Sequence, residues 1–287
     1  MQMPTISVIT PSRNSGEFLE DAILSVAQQE GVLAEHIVQD SLSNDNTLEI
    51  LRRFPAVRWQ WESDCGQSDA INRGFLRAHG DLVGWLNADD YYLPGGLKAI
   101  AQAAAEHPEA DVFHGDCVFV DGEGGITRSK VEHDFDPDIL FYFGCYIPST
   151  ATFFRRTVIE RGHLLDSDFR VCMDFEYFVR LAGAGFKFQY VPRFLAAFRW
   201  HESNISLQET QRRTYERGEV QRRHGSRVRS RMQLELLRQG FRAKRILRKV
   251  ASGNVLRELR IRQQHGEKTL WMRDPEAQAT CASLASL

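Results

Sequence analysis

An α/β fold on a mainly parallel, doubly wound sheet is predicted for this 287-residue chain by three observations. Short β-branched runs alternate with stretches of three-four apolar spacing, strand-helix-strand-helix, from Thr5 onward. The turn after the first run, Pro11 to Gly16, lacks the G-x-G-x-x-G pattern of a dinucleotide-binding unit. The fourth run, Leu82-Val83-Gly84-Trp85-Leu86, stops at Asn87-Ala88-Asp89-Asp90 and so delivers two acids to the carboxyl end of a buried strand.

Each element has its own signal. Thr5 to Thr10 is a strand, and Leu19, Ala22, Ile23, Val26 and Ala27 recur at helical spacing between Phe18 and Gln29. His36 to Gln39 is a second strand ending at Asp40, and Ser43 to Thr47 supplies cap and turn residues for a helix over Leu48 to Phe54. Val57 to Trp61 is a third strand, followed by a helix from Asp69 to Ala78 closed by Gly80. Beyond the acid pair, Leu97 to Ala105 is helical, and Val112 to Val120 is extended and enters a hairpin-like turn at Asp121 to Gly125. Asp174 to Ala182 is a helix, and Phe188 to Val191 and Leu195 to Trp200 read as two strands, the second ending at His201. The less regular middle suits an α+β half that holds the second substrate. Past Ser206 the texture becomes an Arg-rich helical extension, and Ala277 to Leu287 reads as a frayed end. The expected division is 1–90, 91–206 and 207–287.

With 43% hydrophobic and 26% charged residues the composition is that of a globular protein. No run approaches the ~18 apolar residues of a membrane-spanning helix. Met1-Gln2-Met3-Pro4 lacks the basic and apolar regions of a signal peptide, so the expected compartment is cytoplasmic. The five cysteines are scattered and odd in number, which indicates neither a disulfide framework nor a zinc knuckle. The formal net charge of −2 hides an asymmetry: Leu207 to Lys268 holds 18 Lys and Arg against 6 Asp and Glu, leaving an acidic body and a basic tail.

Six segments carry a resemblance: Val8 to Asn14, Asp40 to Leu48, Gly66 to Gly74, Asn87 to Asp90, Met173 to Glu176, and His201 to Ser206. In this order, across residues 4 to 206, they resemble glycosyltransferase family 2, whose members have the GT-A fold and transfer a sugar from a nucleotide-sugar with inversion. The resemblance implies a metal ligand at Asp89, a second at His201, and support from Asp90, for which a turn cap is the competing reading. It implies a donor-nucleotide pocket from Thr10, Pro11, Arg13 and Asp40 on one side and Asp64, Gln67, Asp69 and Asn72 on the other, with Asn87 and Ala88 also binding the donor. Asp69 reads equally as a helix cap. Asn87 stands where many relatives carry the first Asp of D-x-D, and Ile71 where many carry Arg. Asp174 matches the last acid of the family's E-D motif, with Met173 in place of the first, and is the implied general base; capping its helix is the alternative.

The same parts follow from the chemistry. A leaving diphosphate needs its charge neutralised, and Mn²⁺ or Mg²⁺ prefers carboxylate and phosphate oxygens. The acceptor hydroxyl must lose a proton, and the reactants must be aligned. The expected function that the resemblance implies is an inverting, metal-dependent glycosyltransferase using a nucleotide-diphosphate sugar, with UDP-sugar favoured, and non-processive because no membrane-spanning run is present. The acceptor is a glycan or lipid-linked hydroxyl, as in cell-surface polysaccharide or glycolipid assembly. A nucleotidyltransferase or a catalytically silent nucleotide-sugar-binding module is the alternative, and nucleic-acid binding has no motif to support it. In the tail Met232, Leu236, Ala243, Ile246, Leu247 and Val250 recur at helical spacing opposite Arg238, Arg242, Arg245, Arg248 and Lys249. Such a helix either packs its apolar face on the domain or a second subunit, or docks on anionic lipid at the inner face of the membrane.

Overall fold

The computed structural model describes residues 3–201, 204, 209–225 and 230–258. The first half winds as the sequence implies: β1 (Ile6–Ser12), α1 (Leu19–Ala27), β2 (Ala34–Asp40), α2 (Thr47–Arg53), β3 (Arg58–Trp61), α3 (Gln67–Leu76) and β4 (Leu82–Trp85). Parallel pairing joins β3 to β2, β2 to β1 and β1 to β4, with Ile9 facing Ile37 on one side and Trp85 on the other. All four strands therefore end at one edge, where Ser12, Asp40, Trp61 and the acid turn meet.

The second half is mixed. It comprises β5 (Tyr91–Tyr92), α4 (Gly96–Glu106), β6 (Val112–Val120), β7 (Ile126–Lys130), a π-helical turn (Ile139–Phe143), a 3₁₀ turn (Ser149–Ala151), β8 (Thr152–Arg155), α5 (Arg156–Glu160), α6 (Met173–Gly183) and β9 (Phe188–Arg199). Among the described residues the strands form one nine-stranded sheet of order β3-β2-β1-β4-β8-β6-β9-β5, with β7 beside β6. The antiparallel β8 is the seam, pairing Gly84 of β4 with Phe153 and His114 of β6 with Thr152.

One expected boundary is corrected here. Phe188 to Val191 and Leu195 to Trp200 are not two strands; they belong to β9, a single strand paired with β6. Gly115 faces Val191 while Asp116 faces Phe194, so Pro192 and Arg193 are set aside as a bulge. Proline has no N–H for the ladder, and the strand accommodates it by bulging instead of breaking.

Apolar residues lie on both faces of the sheet, which explains runs without alternation. Ile9, Val83, Trp85 and Phe154 pack with Phe75 of α3 and Tyr177 and Phe178 of α6. Val8, Leu82 and Phe153 face the other way, against Ala22 of α1 and Leu97 and Ile100 of α4. Trp85 stacks on Phe154 with ring centroids 5.7 Å apart and planes 5° apart. Truncating a fully buried aromatic such as Phe154 to Ala costs ~3–5 kcal/mol. α3 lies close on β1 because it carries Gly74, where a Cβ would come within 2.3 Å of Ile9 Cγ2.

The basic extension forms α7 (Thr210–Arg223) and α8 (Arg231–Ala251), the latter capped by Ser230 Oγ accepting from Gln233 N. Its expected packing on the domain through the apolar face is reversed. Arg245 Nη2 donates to both Glu132 carboxylate oxygens, at 2.8 and 2.9 Å, and Lys244 and Arg248 reach Asp136 at 2.8 and 2.9 Å. Those acids are buried, as is Asp116, which pairs with Arg257 at 2.8 Å. The surface offered to α8 is carboxylate-rich, so the cations turn inward and the apolar stripe outward. The frayed end expected at Ala277 to Leu287 lies outside the described residues. No helix among the described residues is long and apolar enough to cross a membrane, and Cys65, Cys117, Cys145 and Cys172 are free thiols.

Candidate active site

β4 hands its acids to opposite environments. Asp90 turns inward, 1% exposed, and its carboxylate accepts from Arg199 N, Thr150 Oγ1 and Asn87 Nδ2, each at 2.9 Å. Burial, with the neighbouring Asp89 charge adding to it, pushes the Asp90 carboxyl well above the usual carboxylate range. Asp89 turns toward solvent. Its Oδ2 lies 2.9 Å from His201 Nε2 and accepts from Asn204 Nδ2 at 3.3 Å. The backbone carbonyl of Asp89 accepts from Arg199 Nε at 2.9 Å. Arg199, itself buried, also donates to Asp21 Oδ2 and to the Gly122 carbonyl, both at 2.8 Å. One guanidinium thus ties the acid turn to α1 and to the β6–β7 hairpin.

The Asp89–His201 pair fits a divalent cation. Two neighbouring ligands of an octahedral ion, each about 2.1 Å from it, lie about 3 Å apart, which is the separation observed. Carboxylate oxygen with imidazole nitrogen suits Mn²⁺ or Mg²⁺ when substrate phosphates complete the shell. Among the described residues no third His, Cys, Asp or Glu joins them. The expected motif after β9 is described only at His201 and Asn204; Glu202, Ser203, Ile205 and Ser206 lie outside the described residues.

The nucleotide-side residues divide by where their polar atoms go. Gln67 Nε2 donates to Asn87 Oδ1 at 2.8 Å, so Gln67, Asn87 and Asp90 form one chain of contacts beside Asp89. Ala88 points away from that chain into the apolar cluster of Leu19, Ile23 and Val38, while Pro11 lies near the end of β1 and the exposed Arg13 follows the strand at the same edge. Asp64 accepts from Gly66 N at 2.9 Å, shaping the loop into α3. Four residues expected to touch the nucleotide have other partners. Thr10 is buried against His36 Nε2 at 2.8 Å. Asp40 is fully buried and accepts from Ser43 N at 2.8 Å and Ser43 Oγ at 2.6 Å, so it braces the loop after β2 from below. Asp69, in the first turn of α3, accepts from Cys65 N at 3.0 Å and pairs with Arg73 at 2.9 Å. Asn72 is a clamp, its amide bonded to the Leu165 carbonyl at 2.9 Å and Leu165 N at 2.8 Å. In each case a short side chain found a backbone or side-chain partner within the fold, which spacing alone does not reveal.

Asp174 lies in the first turn of α6, where its Oδ1 accepts from Phe175 N at 2.7 Å and its Oδ2 faces Cys145 Sγ at 3.7 Å. Burial raises its carboxyl, while the Phe175 N–H and the Lys130 ammonium pull it back. Two links bring this turn to the acid edge. Ser68, next to Gln67, donates to the Phe169 carbonyl and lies 3.2 Å from Met173 Sδ. The stretch from Cys145 to Thr150 runs from Asp174 at one end to Asp90 at the other. Glu216 of α7 fixes the approach, accepting from the backbone N–H of Arg170, Val171 and Cys172. Two further acids of this half are engaged elsewhere: Glu176 with Arg180 at 2.8 Å and His224 at 3.1 Å, and Asp116 with Arg257, Tyr190 and Glu132 N.

The family model described as glycosyl transferase family 2 matches residues 7–162, more than half of the chain. The chain belongs to glycosyl transferase family 2. It is 30% identical over 186 residues to an uncharacterized glycosyltransferase of Mycobacterium tuberculosis, covering 62% of this chain and 69% of that one. It is 27% identical over 211 residues to the putative teichuronic acid biosynthesis glycosyltransferase TuaG of Bacillus subtilis, covering 71% and 82%. Its fold is similar to that of S. aureus TarS 1-349 in complex with UDP-GlcNAc, with a TM-score of 0.62 at 17% identity over 83% of this chain and 71% of that one. A TM-score of 0.60 at 16% identity relates it to the mannosyltransferase PcManGT of Pyrobaculum calidifontis in complex with GDP-Man and Mn²⁺, covering 100% and 87%. Those likenesses show the GT-A fold.

Within this family 2 glycosyltransferase, sequence reasoning missed Arg199, Thr150 and Trp61. Arg199 had one available signal, a lone cation in an otherwise apolar strand directly before His201. Thr150 had none, since its partner Asp90 is sixty positions away. Trp61, 50% exposed at the carboxyl end of β3 opposite Asp40, shows as an aromatic closing a short, otherwise solvent-exposed edge strand.

Proposed function

We propose that this glycosyltransferase transfers a sugar from a nucleotide-diphosphate sugar, with UDP-sugar favoured, to a hydroxyl of a glycan or lipid-linked acceptor, with inversion and without processivity. The observation that carries the reading is the Asp89–His201 pair at the carboxyl end of β4, on the edge shared with Gln67 and Asn87. In this reading residues 1–90 hold the nucleotide, 91–206 the acceptor, and 207–287 is a basic extension of which α7 and α8 brace the acceptor half. Trp61 offers a ring face to the base, Arg13 reaches the same rim, and the loop braced by Asp40 sets the pocket's depth.

Asp89 and His201 would hold Mn²⁺ or Mg²⁺, and a cation bound there offsets the charge that builds on the departing diphosphate. Asp90 and Arg199 keep Asp89 aimed outward. Asp174 takes the proton from the acceptor hydroxyl as its oxygen bonds to the anomeric carbon; the bond from that carbon to the diphosphate oxygen breaks on the opposite face, and the nucleoside diphosphate leaves. A single displacement of this kind inverts the anomeric centre.

A thermal-shift panel of nucleotides and nucleotide-sugars with and without Mn²⁺ identifies the donor, since a ligand at 100 times its Kd adds about 2.7 kcal/mol of stability. NMR of the product then reads the anomeric configuration. Retention, or stabilisation by no nucleotide-sugar at all, overturns the reading.

A further inference from the structure

We infer that the outward stripe of α8 is a docking surface for a lipid bilayer with anionic headgroups. The helix is inverted relative to an ordinary surface helix, with its inward cations Lys244, Arg245 and Arg248 consumed by Asp136 and Glu132. Met232, Leu236, Ile246, Leu247 and Val250 point away from the domain and are between 50% and 73% exposed. The stripe runs into an open groove of about 750 Å³ between α8 and the π-helical turn, lined by Tyr142, Leu236, Leu237, Gly240 and Phe241. Contiguous apolar surface of this extent on a helix marks a contact site.

Charge selects the occupant. Arg242 is exposed and has no ion-pair partner among the described residues, and Arg238 meets only Glu235 of its own helix, at 3.5 Å. Lys244 and Arg248, though paired, keep about two-fifths of their side chains in solvent. An apolar face about 20 residues long edged by cations is what an interfacial helix presents to headgroups and acyl chains. A second copy of this chain fits less well. A two-fold axis through the stripe would set Arg238 and Arg242 against the same cations of the partner.

The test is co-sedimentation of the full chain with vesicles of phosphatidylcholine alone and with added phosphatidylglycerol, in low and high salt. Bound protein should rise severalfold with phosphatidylglycerol and fall with salt. Leu236→Asp with Leu247→Asp should abolish binding, and Arg242→Ala should halve it or more, with donor affinity and melting temperature held near those of the unaltered protein. No anionic-vesicle binding overturns the inference. So does a dimer that the double substitution splits, or a fall in melting temperature with that substitution, which would mean that the stripe is covered by the chain's own residues 259–287. Donor binding is read separately, so this inference and the proposed activity fail independently.

Discussion

His201 Nε2 lies 2.9 Å from Asp89 Oδ2 although 112 positions separate them in the chain. Two strands from different halves of the sheet bring them together: β4 carries the acid turn, β9 ends two residues before the histidine, and Arg199 binds one to the other through the Asp89 carbonyl and the Asp90 carboxylate. His201→Ala removes one donor of the pair and leaves the nucleotide contacts. Affinity for UDP in the presence of Mn²⁺ should fall by roughly tenfold, about 1.4 kcal/mol, while affinity without metal stays constant, as read by titration calorimetry.

Asp90 should behave as the opposite of its neighbour. Asp90→Ala orphans the Arg199 and Asn87 donors and the Thr150 hydroxyl, each worth ~1–3 kcal/mol when buried and unmet. The substitution should lower the unfolding free energy read from guanidinium denaturation by several kcal/mol. Asp89→Asn, half-buried, should leave that free energy within about 0.5 kcal/mol.

Arg245→Ala tests the inverted helix. Glu132 is fully buried, and removing the Arg245 guanidinium leaves its charge offset by Lys130 alone, at 3.8 Å, costing up to ~3–5 kcal/mol. Deleting the chain from Met232 onward would strip Asp136 of Lys244 and Arg248, Asp116 of Arg257 and Glu132 of Arg245 together, so the truncated protein should fail to fold. An alanine variant that melts like the unaltered protein would show that α8 is not held by these pairs.

Asp174→Asn should keep donor and metal binding but cut transfer by about 10²–10⁴, the usual share of general base catalysis. The pH profile gives a second reading. Burial raises the Asp174 carboxyl, so the rate should fall on acidification at a pH above the ordinary carboxylate range, where the group takes up its proton. Lys130 pulls that carboxyl down, so Lys130→Met should move the acidic limb to still higher pH. A limb that stays in place would detach Lys130 from the base.

The alternating half of the fold was legible because each element carries its own periodicity, and β1 to β4 fall within a residue or two of where spacing puts them. The second half was harder for a physical reason. β5 is two residues long, β8 four, and both owe their existence to partners far away, Ala196 and Ala197 for one and Gly84 for the other. Asp89 and His201 were legible as chemistry-bearing residues at strand ends. The fate of Asn72 and Asp40 was not, because an amide or carboxylate bonded to Leu165 or Ser43 looks the same in sequence as one facing a ligand. The tail shows the limit most plainly. Periodicity separated the apolar and basic faces of α8, but which face meets the domain depends on Glu132 and Asp136, about a hundred positions upstream.

Titration calorimetry of UDP with and without Mn²⁺, on the unaltered protein and on Asp89→Asn, tests the central claim most directly. The account predicts that Mn²⁺ tightens UDP binding severalfold or more in the unaltered protein, and that Asp89→Asn abolishes this gain while metal-free binding and melting temperature stay as they were. A variant that retains the full Mn²⁺-dependent gain would contradict it.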